Sequence, residues 1–513
     1  MISMSSVATD PETVIVETAA GRVRGQRTDG VSVFKGMRYG ADTGGANRFR
    51  PPQPVIPWTG VQDAFEYGHQ SPQMRGPLAD KGPMSEDCLR VNVWTPDTDG
   101  ARRPVMLWFH GGGFEAGSAS QKVYDGTRLA ARGGVVVVSV NHRLNVFGHC
   151  FLGDRLGPDY ALSGNAGYLD LIAAMRWVRE NIGAFGGDAD NVTIFGQSGG
   201  GRKVSLCYAG QDAQGLFRRG IVQSGSHLRV QAPEHAARLT DRLLALLDIA
   251  PGQAAKLLEV STEALSAAQF KVMRESRSRF SPVLDGLAFQ CHPFVPHAPK
   301  VSLHLPMMVG TTRTELSNQL GYEEGVFDLD MPELTRRLQR YLPAGDVDEA
   351  IAVFQAESPE ASPTELYFSI TSARGYIRDQ TIMAEQRVMA GAAPTYAYQL
   401  TWRSPAEGGR RISQHTLDLP FMFDNVAKAP HLTGPETDET RALAQAMSET
   451  WISFARTGDP NNAAIPTWPP YDVADRPVML FDAPPRLAHD PYAAERRFMA
   501  RYETQQMGRA LHR

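Results

Sequence analysis

The chain has 513 residues, 42% of them hydrophobic and 21% charged, with a formal net charge of -4 at pH 7. Those proportions are ordinary for a soluble globular protein, and the slight acidity makes no electrostatic case for nucleic acid or an anionic membrane surface. No run approaches the ~20 consecutive apolar residues of a membrane span, and the polar residues 1–14 lack the apolar core of a signal peptide. Four cysteines, Cys88, Cys150, Cys207 and Cys291, are too few and too scattered for a disulfide framework or a C-x-x-C metal site. Buried or free thiols in a cytoplasmic protein are expected.

Residues 14–16, 21–25 and 33–36 are short strand-like pieces punctuated by turns, the pattern of a small antiparallel lead-in. Arg48-Phe-Arg-Pro-Pro-Gln-Pro54 must be extended, because its prolines forbid helix. Ser85-Glu-Asp-Cys-Leu89 then leads into an alternating strand over 90–94. Glu86 and Asp87 are read as structural ion-pair formers, with Arg143 as one candidate partner. The first fully apolar strand, 105–109, runs into His110-Gly-Gly-Gly-Phe114. Consecutive glycines after a core strand expose backbone N–H groups that can be aimed at an oxyanion ~3 Å away.

A buried strand over 135–140 follows. Apolar residues at 171, 172, 175, 178 and 182 then make a helical stripe over 169–182 that stops at Gly183. Next comes Val192-Thr-Ile-Phe195, a buried strand, followed at once by Gly196-Gln-Ser-Gly-Gly200 and a helical stretch from Gly201 onward. A serine between glycines at a strand-to-helix turn has the G-x-S-x-G form of a nucleophile elbow. A P-loop does not fit, since Gly201 is followed by Arg202, with Lys203 one place late. Ser224 is a decoy, with Val222 where an elbow needs glycine. After a strand at 220–223, residues 231–275 read as helical, 305–309 as a strand and 320–393 as mostly helical. A strand at 395–400, an amphipathic helix over 437–456 and a last strand at 478–480 complete the chain. The alternation predicts an α/β fold with a mostly parallel sheet covered by helices on both faces. With no repeat or linker, one domain over 1–513 is expected, with helical insertions around 231–275 and 320–393.

Serine is a weak nucleophile and needs a base that is itself oriented by a third group. In sheet hydrolases with this elbow the order along the chain is Ser, acid, His. Glu315, just past an apolar strand, fits the acid, and Asp285 is its rival. Of the later histidines, His431 and His489 lie in Pro-rich polar surroundings and His512 is terminal. His415 adjoins the core-like Leu417-Asp-Leu-Pro-Phe-Met-Phe423.

These motifs, with Ser163-Gly-Asn165, Gln223-Ser-Gly-Ser226 and Phe454-Ala-Arg-Thr-Gly458, resemble almost end to end a type-B carboxylesterase of the α/β-hydrolase fold. That family also contains cholinesterases and lipases. The resemblance implies Ser198 as nucleophile, His415 as base, Glu315 as the orienting acid, and N–H groups of Gly112, Gly113 and Gly199 as the oxyanion hole. It implies hydrolysis of neutral carboxylic esters through an acyl-enzyme, or the same machinery on amides, carbamates or lactones. A non-catalytic interaction protein of the same fold is the rival from another class. A small-molecule ester is the expected partner, with no cofactor, no metal, no nucleic acid, and a monomer or homodimer.

Three departures from the family pattern stand out. The elbow reads Gly-Gln-Ser-Gly-Gly where Gly-Glu-Ser-Ala-Gly is usual, which implies a floppier loop and one charge fewer beside the nucleophile. The acid sits in Arg313-Thr-Glu-Leu316 instead of a Gly…Asp-Glu-Gly setting. Ser71 stands where a cysteine usually pairs with Cys88, so no disulfide is expected.

Overall fold

Five- to seven-residue runs of β-branched, aromatic and aliphatic side chains are too short for buried helices and form strands instead. The computed structural model describes residues 12–76 and 82–504. Residues 1–11, residues 77–81 and His512 lie outside the described residues. The strands are β1 Thr13–Thr18, β2 Gly21–Thr28, β3 Val31–Arg38, β4 Val61–Asp63, β5 Arg90–Thr95, β6 Arg103–Phe109 and β7 Val136–Val140. They continue with β8 Gly187–Gln197, β9 Arg219–Gln223, β10 Met307–Thr312, β11 Thr395–Leu400, β12 Pro477–Phe481 and β13 Arg486–His489. The sheet order is β1-β2-β3-β5-β7-β6-β8-β9-β10-β11-β12-β13, with β4 added beside β2. From β7 to β12 every neighbouring pair is parallel. β1, β2, β3, β5 and β13 are antiparallel additions at the two edges, and β4 pairs parallel with β2.

Successive side chains of a strand point to opposite faces, and β6 divides accordingly. Val105, Leu107 and Phe109 join one core, with Leu171, Ile172, Met175 and Val178 of the helix Ala166–Asn181. Met106 and Trp108 join the other, with Leu443, Met447, Trp451 and Phe454 of the helix Asp438–Thr457. Both faces are therefore covered, as a parallel sheet requires. The long helix begins at Thr437, whose hydroxyl accepts from Thr440 N, and ends at Gly458 in the left-handed region. The segments expected to be helical carry the helices Pro233–Leu246 and Thr262–Ser276, and a second group that includes Met331–Leu338 and Pro363–Ser372. A π-helical turn, Ala373–Ile377, follows the latter and has no sequence signature of its own.

Glu86 and Asp87 do form ion pairs, but not with Arg143. Glu86 is gripped by Arg48, at 2.9 Å through Nε and 2.5 Å through Nη2, and it accepts from Thr262 Oγ1 at 2.6 Å. Asp87 accepts from Arg38 and Arg90. Arg143 pairs instead with the fully buried Asp170, at 2.9 and 2.6 Å. Asp170 lies on the helix that covers the sheet, a proximity only tertiary packing creates. Ser71 lies against Cys88, a buried free thiol whose pKa burial pushes up.

Candidate active site

The candidate residues gather at the carboxyl ends of β6, β8 and β10, the edge where open α/β sheets bind ligands. Ser198 follows β8 directly and opens the helix Gly199–Ala209. Its backbone, at φ 58° and ψ -121°, is strained for a residue with a Cβ, the signature of an elbow that presents its side chain. The turn is this tight because Gly200 lacks a Cβ, which would lie 1.9 Å from the carbonyl oxygen of Phe109. Ser198 N–H donates to Gln223 O at 2.8 Å, tying the elbow to β9. Ser224, by contrast, is fully buried, with no opening for a substrate.

The loop after β6 turns through Gly112 (φ +92°) and Gly113 (φ +66°), conformations that side chains with a Cβ rarely adopt. It lies directly on the elbow. A methyl group on Gly199 would sit 2.4 Å from Gly113 N and 2.2 Å from Gly113 O. The glycine at 199, where the family pattern has alanine, is thus occupied space and not slack: the glycine loop fills the place of the methyl. Gly113 thus lies close against Gly199, the first residue of the helix after Ser198, and a helix N-terminus favours negative charge.

Glu315 lies past the end of β10 and is fully buried. Its Oε1 accepts from Thr312 N at 2.8 Å, and its Oε2 accepts a hydrogen bond from His415 Nδ1. The two residues are 100 positions apart. Thr314 brings them together: its N–H donates to Ser413 O at 3.1 Å and its hydroxyl accepts from Ser413 N at 3.0 Å. Asn318 Nδ2 donates to His415 O at 3.3 Å, and the Tyr376 ring lies 5.1 Å from the imidazole. With Nδ1–H given to Glu315, Nε2 of His415 is left with a lone pair, the tautomer a general base needs.

Gln197 lies against the same ring and not along that lone pair, because its amide nitrogen is at similar distances from both ring nitrogens, 3.5 Å from Nδ1. Its Nε2 lies 3.2 Å from His415 Nε2, and among the described residues Ser198 Oγ makes no hydrogen bond with the ring. Reading the sequence showed a lost charge at 197 but not this contact, which depends on a loop 218 residues away. Asp418 was also missed. It is buried behind the histidine, accepts from Gln223 Nε2 at 2.7 Å, and burial raises its pKa to about 6. Its only sequence signal was a carboxylate inside an apolar run.

Asp285 serves elsewhere. Its Oδ1 accepts from Leu287 N and Phe289 N, and its Oδ2 from Asn165 Nδ2 at 2.8 Å. It holds a turn and the Ser163-Gly-Asn165 segment. Glu315→Gln is accordingly expected to lower kcat by about 10²- to 10⁴-fold, because an amide no longer orients and balances the imidazolium. Asp285→Asn should leave kcat within about threefold, since its turn bonds act on stability and not on the reaction. Steady-state kinetics of the two variants on one neutral ester decide, and the reverse pattern would move the acid's role to Asp285.

An elbow serine with a glycine loop and a Glu–His pair, all at one edge of a parallel sheet, defines an α/β-hydrolase. Within that class the chain belongs to the carboxylesterase family, whose sequence profile matches residues 12–499. It is 35% identical over 497 residues to para-nitrobenzyl esterase of Bacillus subtilis, covering 94% of this chain and 97% of that one. To the liver carboxylesterase of Sus scrofa it is 31% identical, over 89% of this chain and 88% of the other. The crystal structure of a Geobacillus stearothermophilus carboxylesterase superposes with a TM-score of 0.82 at 36% identity, covering 94% and 99% of the two chains. Among the described residues no helix is long and apolar enough to cross a membrane.

Proposed function

We propose that this carboxylic ester hydrolase works through Ser198 as nucleophile, His415 as general base and Glu315 as the group that orients and balances the imidazole. The N–H groups of Gly112, Gly113 and Gly199 form the oxyanion hole. The observation that carries the reading is the bond from His415 Nδ1 to a fully buried Glu315, made beside a strained elbow serine. Ser198 Oγ attacks the ester carbonyl while His415 Nε2 takes its proton. The tetrahedral oxyanion is stabilised by preorganised N–H donors in a water-poor site. His415 returns the proton to the departing alcohol. A water molecule, deprotonated by the same nitrogen, then releases the acid and regenerates Ser198.

A labelled fluorophosphonate tests the reading directly. It should attach stoichiometrically to Ser198, whereas a non-catalytic interaction protein of this fold would not react. The proposal extends to one domain over the whole chain, acting in the cytoplasm as a monomer or homodimer.

The substrates are proposed to be carboxylic esters without a cationic group. A quaternary ammonium is held mainly by aromatic faces, each contributing about 0.5–2 kcal/mol. The stretch 72–84 contains no Trp, Tyr or Phe. The aromatics just upstream face other groups: Trp58 Nε1 donates to Arg22 O, Phe65 lies under Arg24 and Tyr67 under Lys35. Beside the glycine loop Glu115 is already paired with Arg279, at 2.7 Å. A choline ester should therefore show no advantage in kcat/KM over its uncharged isostere with the same acyl group. A tenfold choline preference, about 1.4 kcal/mol, would reveal a cation site and refute this part.

A further inference from the structure

Lys203 lies five residues after Ser198 on the elbow helix and is 1% exposed. Its ammonium donates to His110 O at 2.9 Å and to Gly113 O at 3.1 Å, the two carbonyls that bracket the glycine turn. The Phe114 ring lies 5.8 Å from the same nitrogen. Among the described residues Lys203 forms no ion pair with a carboxylate. A lysine buried in this way is costly unless its charge is used, and here both of its bonds go to the loop that carries the oxyanion donors.

We propose that Lys203 is a positioning residue for the oxyanion hole, clamping the Gly111–Gly113 turn against the elbow and placing a positive charge behind it. The inference rests on the function proposed for Ser198. Charge-assisted bonds are roughly twice as strong as neutral ones. The clamp is therefore at full strength while Lys203 is protonated, and its charge adds to the field felt by a developing oxyanion.

The groups around it make the charge state testable. Burial, followed by the neighbouring Arg202 charge, brings Lys203 down to about 7. His110 on the loop after β6, His142 after β7 and His149 beyond it face the same site. Burial holds His110 and His149 down to about 3 and His142 well below its usual value, so all three stay neutral at working pH. Arg279 is paired with Glu115 at 2.7 Å. Asp379, which faces Arg202, is raised to about 7 by burial and competes in the same range.

Activity should consequently fall as pH rises through about 7 to 9. The effect on stability has the opposite sign. The folded pKa of Lys203 lies below its unfolded value, so the unfolded chain binds more protons between about 7 and 10.4. The contribution of Lys203 to stability therefore grows with pH across that window. Deprotonation of Lys203 therefore predicts a loss of activity without a loss of stability from this group.

The experiment measures pH profiles of kcat and KM on a neutral ester for the wild type, Lys203→Met, Lys203→Arg and Asp379→Asn, with thermal unfolding as a check. Lys203→Met should lower kcat about 10- to 100-fold at pH 7, with KM nearly unchanged, and should lack the alkaline limb. The wild type should decline toward that level as pH rises. Lys203→Arg, charged throughout, should restore kcat and remove the limb, while Asp379→Asn should retain it. Full activity in folded Lys203→Met, or an alkaline limb that persists in it, would overturn the proposal. If neither lysine variant folds, the wild type decides: a flat profile from pH 7 to 9, or a limb abolished by Asp379→Asn, refutes it. Fluorophosphonate labelling of the wild type separates the two levels, because an unreactive Ser198 defeats the proposed function itself.

Discussion

Ser198→Ala is expected to abolish labelling by fluorophosphonates and to lower kcat by about 10⁴- to 10⁶-fold, equivalent to roughly 5–8 kcal/mol of transition-state stabilisation. The variant should fold normally. Alanine keeps the Cβ that the φ of 58° already tolerates, and Ser198 Oγ makes no hydrogen bond with His415 that folding would miss. The remaining rate above water reflects the oxyanion donors and substrate binding, which the substitution leaves in place. Mass spectrometry after labelling, with steady-state kinetics, checks it. A folded alanine variant that still reacts would place the nucleophile elsewhere.

His415→Ala should cost a comparable factor in kcat, for a different reason: the hydroxyl loses the acceptor for its proton, and the leaving alcohol loses its donor. The double variant Ser198→Ala/His415→Ala should be little worse than either single one, because nucleophile and base act as a unit. If the two losses multiply, His415 is not the base. The histidine variant should also lose some stability, since Glu315 remains fully buried with Thr312 N–H as its surviving partner. Leaving a buried acceptor unsatisfied costs about 1–3 kcal/mol, more when it is charged. Circular dichroism and thermal unfolding separate that effect from the kinetic one. Because Gln197 Nε2 sits on the imidazole at 3.2 Å, Gln197→Ala is an informative companion. It should leave Glu315 and His415 in place and raise or preserve the rate, and a large loss would give the amide a part in holding the base.

The sequence by itself determined whatever depends on neighbours along the chain. The apolar runs at 105–109, 192–195 and 220–223 are strands because short buried β-branched and aromatic segments have no better conformation. The elbow and the glycine loop were legible because a sharp turn and exposed N–H groups require glycine at particular spacings. The expected order Ser198, Glu315, His415 came from the resemblance to hydrolases with this elbow. The edge strands β4 and β13 were not legible: three and four residues long, they carry too little pattern to stand out.

What only the tertiary structure decided was which distant groups meet. Glu86 found Arg48, while Arg143 found Asp170. Glu315 rather than Asp285 reached His415 because Thr314 bonds to Ser413 across 99 residues. The same holds for Gln197 resting on the imidazole, for Gly113 filling the place of a methyl at 199, and for Lys203 reaching back to the loop before it. Local pattern chooses strand, helix and turn, because those follow from sterics and solvation within a few residues. A charged or polar side chain takes its partner from whatever the packed sheet brings within hydrogen-bond range. No spacing in the chain records that distance, and the chemistry proposed for Ser198 depends on it.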